Sequence, residues 1–245
     1  IKIATTSNLV GLLGALGFYI LTVLIGHGVH LFLVYPAIFF ATTRGNGWKW
    51  FAKIYEAPLL AFATSSSAAT LPRSLQVAKK AGVRPESYQF ILPLGAAINM
   101  DGTALGFPIM IALIAQLNSI ALDAGTVFVV MVLAVVVSVG TAPIPNAGMV
   151  YLTMLFAAAG MSEYAGDGLA TLFVLDWFVD RIETAVNVTS DQFVAKIIDD
   201  ISMEAQKKNS RVKCGCCLTG PGQVDFQDAE TQINNNDQKA NEAEV

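Results

Sequence analysis

Five polar side chains in the last apolar stretch of the chain recur at helical spacing. Asp176, Asp180, Glu183, Asn187 and Asp191 are separated by 4, 3, 4 and 4 residues, which puts all five on one helix face. Four acids and an amide on one buried stripe repel one another unless cations sit among them. The only basic residue between Asp176 and Asp191, Arg181, lies about 100° around the helix from Asp180. Leu172, Phe173, Val174, Leu175, Trp177 and Phe178 wrap the first turns, which argues against the alternative of a solvated face on an interfacial helix. A second constellation, Asn99-Met100-Asp101-Gly102-Thr103, breaks an apolar run of membrane-span length. Gly102 loosens the helix, and unwinding there would free the carbonyls of Gly95, Ala97, Asn99 and Met100 beside the Asp101 carboxylate. Carbonyls plus a carboxylate form the hard-oxygen cage that Na⁺ prefers. The alternative is a kink whose Asp101 pairs with a cation on a neighbouring helix. A third feature is a pair of loop tips, Thr64–Pro72 and Gly140–Gly148. Helices starting after Ser67 and after Asn146 would present free N–H groups and positive dipole ends suited to a carboxylate. One tip on each side of a substrate could serve as a gate. The alternative, surface loops of a soluble protein, conflicts with their apolar flanking arms. Catalysis is not expected. The acidic stripe has no Cys or His, and the serine tip lacks a nearby base.

The elements that must hold these residues belong to a membrane protein. Of 245 residues 54% are hydrophobic and 14% charged, against about 25% charged in a soluble domain. Apolar runs of about 20 residues can cross a bilayer as helices. Residues 9–42 read as one span, carrying His27 and His30 on roughly one face. These two read as histidines packed against neighbouring helices, with a metal or proton role as the alternative. Residues 48–81 read as two short arms around the Ser-rich tip, a re-entrant hairpin. Residues 86–117 read as a broken span. Residues 123–160 form a second hairpin, because two prolines and two glycines at its tip prevent a continuous helix. Residues 164–202 read as a polar-faced span. Lys and Arg flank both ends of the first hairpin, and between residues 85 and 195 the only basic residue is Arg181. Cytoplasmic loops carry the basic excess, so the two hairpins enter from opposite sides. The resulting fold class is an all-α membrane protein of three spans and two opposed re-entrant hairpins, the pattern of an inverted repeat whose tips meet near the midplane.

Residues 1–202 read as one transport domain and 203–245 as a disordered cytoplasmic tail with no apolar face to bury. Cys214, Cys216 and Cys217 follow the last span; free cytosolic thiols and palmitoylation are both open for them. Ile1 is followed by no signal peptide, so the chain reads as a fragment.

Four motifs together resemble the dicarboxylate/amino acid:cation symporters, the glutamate and neutral amino acid transporters. They are the serine tip before Thr70-Leu71-Pro72, Asn99–Thr103, Gly140-Thr141-Ala142 with Pro145, and Asp180-Arg181 with Thr184 and Asn187-Val188. The likeness runs over roughly residues 10–200, and Arg181 with Ser65 is similar to the eukaryotic branch. The resemblance implies a plasma-membrane, sodium-coupled amino acid symporter of the elevator type. It would be a homotrimer assembled through upstream scaffold helices absent here, with no partner nucleic acid and no cofactor beyond Na⁺ as the coupling ion. It also implies positions. One Na⁺ would meet the Gly95 and Asn187 carbonyls and the Asp191 carboxylate. Another would meet the carbonyls of Ala97, Met100, Ser138, Val139 and Thr141. A third would use Asn99 and Asp101 with an upstream helix. The substrate carboxylate would meet the Ser67 N–H and Asn187, its amino group Asp180 and the carbonyls of Ser65 and Ile144, with Thr103, Gly148 and Thr184 lining the pocket.

The sequence departs from the family pattern at Ala68, Pro143, Phe107 and Glu183. Phe107 stands where the excitatory branch has a proton-carrying glutamate. Glu183 stands where acidic-substrate members have the arginine that holds the side-chain carboxylate. An arginine binds a carboxylate through two charge-assisted hydrogen bonds, whereas a glutamate repels it. The expected substrate is therefore neutral or cationic: cationic if Glu183 is ionised, polar and neutral if it is protonated. The other readings are that Glu183 pairs with Arg181 or an upstream residue, that the protein carries acidic amino acids after all, and that it is channel-like, since channels also use buried carboxylates and carbonyls.

Overall fold

The structure, a computed structural model, describes residues 9–216 and no side chain beyond residue 208. It divides into two units, Ile1–Ser202 and Met203–Val245. Among the described residues every regular element is a helix.

The first apolar stretch forms α1 (Leu9–Val29) and α2 (Tyr35–Thr43), joined by a π-helical turn, His30–Val34. Pro36 explains the turn. It has no N–H to give to the preceding carbonyls, and the Tyr35 N–H bonds back to His30 O instead. Arg44 ends α2 in the left-handed conformation, and the Asn46 side chain caps α3 (Gly47–Ile54) by accepting from the Lys49 N–H. α4 (Glu56–Thr64) starts afresh beside Pro58, so the first arm of the expected hairpin is two short helices. The second arm, α5 (Ser67–Ala81), packs against α4 and stops at Gly82, whose φ of 90° lets its N–H reach back to Ala78 and Lys79 carbonyls.

Pro85 opens α6 (Pro85–Ile98), and α7 (Asp101–Leu117) follows after a break confined to Asn99 and Met100. The break is narrower than the sequence suggested: Asp101, Gly102 and Thr103 already form the first turn of α7. α8 (Ala124–Ser138) is capped by Asp123, which accepts from the N–H groups of Gly125 and Thr126. The returning arm is a 3-10 turn, Ala147–Tyr151, leading into α9 (Leu152–Ala158). An α-helix starting directly after Asn146 was expected, but the Pro- and Gly-rich approach leaves only the tighter turn. α10 (Ala165–Cys216) is continuous. It continues through residues 203–216, where a disordered tail was expected, because Glu204, Ala205, Gln206, Lys207 and Lys208 are all strong helix formers. The rest of the tail and the cysteine side chains lie outside the described residues.

Two apolar cores form in the first unit. One gathers α1, α7, α8, α9 and the first turns of α10 around Phe107, Ile111, Leu152 and Leu172. The other gathers α2 to α6 and later turns of α10 around Phe39, Trp50, Leu92 and Phe193. Each core thus contains one hairpin, and the break at Asn99–Met100 carries the chain from one core to the other. Polarity is inverted relative to a soluble protein. Trp177 is 65% exposed on the outer face of α10 while Glu183 on its inner face is 3% exposed. Phe128, Val132 and Val136 face outward from α8 as well. So much exposed apolar surface suits hydrocarbon rather than water. Two helical stretches, Leu13–Thr43 and Pro85–Leu117, are long and apolar enough to cross a membrane. The expected third span is not among them, because its acids lower its hydropathy.

Candidate functional site

The polar residues singled out from the sequence converge between the two cores. The stripe on α10 faces inward: Asp176, Glu183, Asn187 and Asp191 are all buried. Helix α7 approaches this face closely at Gly106, where a Cβ would fall 1.8 Å from Glu183 Oε1. On α6, a Cβ at Gly95 would fall 2.3 Å from Asp191 Oδ1. Glycine at these two positions is what admits the carboxylates.

The loop tips close over the stripe. Ser65 takes a left-handed φ of 50° to end α4, and Ser66 caps α5, its Oγ accepting from the Ala69 N–H. The same Ser66 hydroxyl donates to Pro143 O at 2.7 Å, and the Ala68 N–H also points to Pro143 O at 3.4 Å. The tips therefore touch each other. The second tip is also tied to α10: the Asn146 side-chain amide donates to Asp176 Oδ2 at 2.5 Å and its backbone N–H to Asp180 Oδ2 at 3.2 Å. Asn146 reaches both because it sits at a φ of 60°.

Beneath the tips is a narrow pocket with a cavity volume of about 20 Å³. All nine residues named from the sequence for a substrate line it: Ser65, Ser67, Thr103, Ile144, Gly148, Asp180, Glu183, Thr184 and Asn187. So do Met100, Phe107, Thr141 and Asp176. Ser67 opens α5, and among the described residues its N–H makes no hydrogen bond, whereas the Ala68, Ala69 and Thr70 N–H groups are taken. The Asn187 amide is partly engaged, its Oδ1 accepting from the Gly102 N–H at 2.7 Å and its Nδ2 facing Met100 Sδ at 3.3 Å.

The residues named for sodium divide into groups. Asp191 packs on Gly95 and accepts from Asn99 Nδ2 at 2.9 Å; Asn99 also bonds Ser190, whose hydroxyl donates to Asn187 O at 3.0 Å. Gly95, Asn99, Asn187 and Asp191 are thus together. Gly95 O already accepts from the Asn99 N–H and Met100 O from the Ala104 N–H, which leaves each carbonyl one lone pair. Thr141 shares the pocket with Met100. Ser138 and Val139 end α8, with Ser138 O accepting from the Thr141 N–H, and Ala97 lies in the last turn of α6. Asp101 reaches toward the first helices. Its Oδ2 accepts from the Tyr35 hydroxyl and lies 3.3 Å from His30 Nε2.

Both histidines face the break. His27 is buried with its ring nitrogens on Val23 O and Gly102 O, at 2.9 and 3.0 Å. Their spacing of three put them on one face, and that face packs on α7, as a packing role requires. Arg181 does not pair with Glu183. Its Nη1 donates to Phe62 O and Ala63 O at the end of α4, and its guanidinium lies 4.5 Å from the Trp177 ring centre. Glu183 Oε1 is buried with no hydrogen-bond partner. Sequence reasoning missed Tyr35 as a partner of Asp101 and Asn146 as a partner of Asp176 and Asp180. These contacts join residues 66, 30 and 34 positions apart, and no local periodicity signals them. The amide at the second tip was the one available hint.

A family model described as the sodium:dicarboxylate symporter family matches residues 1–201. The chain is 38% identical over 202 residues to excitatory amino acid transporter 2 of Homo sapiens, covering 82% of this chain and 35% of that protein. It is 36% identical over 211 residues to neutral amino acid transporter A of Bos taurus, covering 86% of this chain and 39% of that protein. The chain therefore spans well under half the length of these relatives. It belongs to the sodium:dicarboxylate symporter family.

Proposed function

We propose that this chain is the substrate- and ion-carrying part of a sodium-coupled amino acid symporter. Helices α3–α5 and α8–α9 are re-entrant hairpins entering the bilayer from opposite sides, and α10 ends in the cytoplasm. The carrying observation is the pocket in which both tips, the break at Asn99–Met100 and the acidic stripe meet. A polar cavity walled by two loop tips that bond to each other through Ser66 and Pro143 suits a gated, occluding site better than an open pore. Backbone carbonyls and a buried carboxylate around Asp191 suit Na⁺, and the donors at Ser67 and Asn187 opposite Asp180 suit a zwitterion. Buried charges of this kind inside a membrane are costly and mark transport sites.

In this reading the chain moves as one body against scaffold helices that lie upstream, in a homotrimer of the plasma membrane, and alternates access by an elevator motion. Its substrate is neutral or cationic, because Glu183 would face the side chain of an acidic one with like charge in a dry pocket. Two findings favour this over the pairing of Glu183 with Arg181: the guanidinium is held by α4 and Trp177, and Glu183 Oε1 has no partner. The test is uptake by the full-length protein in liposomes across a panel of amino acids. Accumulation driven by an inward Na⁺ gradient is expected. Equal uptake without Na⁺ would overturn the ion assignment, and robust aspartate or glutamate uptake would overturn the substrate assignment.

A further inference from the structure

Three carboxylates line the pocket, those of Asp176, Asp180 and Glu183, and among the described residues no Lys, Arg or His lines it. A zwitterion brings one ammonium, which Asp180 is placed to take. That leaves two acids whose charge a neutral amino acid does not answer. Asn146 partly offsets Asp176 with its amide. Glu183 is different: it is 3% exposed, and among the described residues its Oε1 has no hydrogen-bond partner, the neutral Thr103 hydroxyl being the one side chain that bonds the carboxylate. Helical side chains lean toward the N-terminus of their helix, and Asp176 and Glu183, two turns apart on the inward face of α10, are both buried and line the same pocket. The α10 wall of the pocket therefore carries two buried acids besides Asp180. Elsewhere in the first core, the Tyr19 hydroxyl of α1 is also buried without a hydrogen-bond partner among the described residues.

We propose that Glu183 and Asp176 form a side-chain subsite for a cationic amino acid, one bearing a guanidinium or an ammonium group. The proposal rests on the symporter reading and narrows it. A buried carboxylate with no countercharge is strongly unfavourable, and a cation that reaches both acids offsets part of that cost. A guanidinium fits best, since its planar fork can donate to two carboxylates at once. A neutral side chain would leave Glu183 uncompensated, and an acidic one would add a third negative charge to the wall. Discrimination is expected to be steep, because a buried polar group left unpaired costs more than a mismatched apolar contact. The substrate cation also enters the network that holds the second tip, since Asp176 is the acceptor for Asn146.

The test uses the full-length protein in liposomes with an inward Na⁺ gradient, and labelled arginine, lysine, alanine, glutamine and aspartate. Na⁺-dependent uptake of arginine or lysine is expected. Glu183→Gln keeps the shape and removes the charge; it should raise the KM for arginine roughly tenfold or more, as loss of a charged hydrogen bond does, and shift preference toward glutamine. Asp176→Asn should do the same in milder form. A second readout needs no variant: in Na⁺, arginine should raise the Tm of the detergent-purified wild-type protein and aspartate should not. Na⁺-driven uptake of neutral or acidic amino acids, with arginine and lysine neither carried nor competing, would overturn the subsite and leave the symporter reading standing. So would neutral uptake accompanied by proton entry that Glu183→Gln abolishes, which would make Glu183 a proton carrier. Uptake of no amino acid under a Na⁺ gradient would overturn the symporter reading itself, and the subsite with it.

Discussion

Glu183 and Gly106 constrain each other. The carboxylate lies where any side chain at Gly106 would have to sit, with a Cβ at 1.8 Å from Oε1. Gly106→Ala should therefore push the Glu183 carboxylate out of its place. Alanine is the better helix former by about 1 kcal/mol, so folding should not suffer, and the side chain that must yield has a flexible end. The expected outcome is a rise of roughly tenfold in the KM for the transported amino acid, the usual scale for displacing a positioning group, with an unchanged Tm. Uptake assays and thermal denaturation of the purified variant check it; an unchanged KM would show that Glu183 does not face the substrate. Much of this site was readable from residue types. The acids of α10 announced a common face by spacing alone. What they point at was not readable, because the partners of Glu183 and Asp191 on α7 and α6 are glycines, and a glycine's role in a close approach leaves no mark until the neighbouring helix is in place.

At the scale of elements, the tips are held shut by few bonds. Ser66 does two jobs at the first: it caps α5 through the Ala69 N–H, and it donates to Pro143 on the opposite tip. Ser66→Ala should loosen the cap by about 1 kcal/mol and release the second tip. A cysteine placed at Ala142, with Cys214, Cys216 and Cys217 changed to serine, should then react with a thiol reagent roughly fivefold faster, the factor that 1 kcal/mol represents. An unchanged rate would show that the bond to Pro143 does not keep the tips closed. The hairpins as pairs of apolar arms around polar tips were legible in the alternation of composition. Their internal breaks were less so. The interruption of the first arm at Pro58 and the π turn before Pro36 both follow from a missing N–H, but the sequence does not say whether the chain bends, bulges or restarts. Packing around Trp50 and Tyr35 decided that.

For the whole molecule, two cores share one long helix, and the pocket lies where they meet. At the far end of the second core, Arg84 ties the turn between α5 and α6 to α10. Its Nε donates to Asp199 Oδ1 at 2.7 Å and its Nη2 to Asp199 O at 3.1 Å, while the Ser87 hydroxyl donates to the same carboxylate at 2.8 Å. Asp199 is fully buried. Arg84→Ala should remove the bonded cation and leave the buried carboxylate on the Ser87 hydroxyl, lowering stability by about 3 kcal/mol, read as a drop in Tm. Adding Asp199→Leu should restore much of the loss, since a well-packed apolar replacement removes the buried charge. A Tm unchanged by Arg84→Ala would show that the latch contributes nothing. The site lies far along the helix from Glu183, so substrate preference should be untouched in both variants.

The sequence alone determined the class of molecule, the order of arms and breaks, and the set of polar residues that had to be brought together. It could do so because apolar length and helical period are local properties, and because a polar residue in an apolar run demands a reason wherever it stands. Tertiary structure alone decided the pairings: Asp101 toward Tyr35 and His30, Arg181 on α4 rather than on Glu183, and Asn146 on Asp176. Each joins elements distant in the chain, and each depends on which face of a helix its neighbour leaves open. Only packing fixes that choice. It is also what left Glu183 buried with no countercharge from Arg181, and so turned an unusual residue in a familiar pattern into a statement about charge.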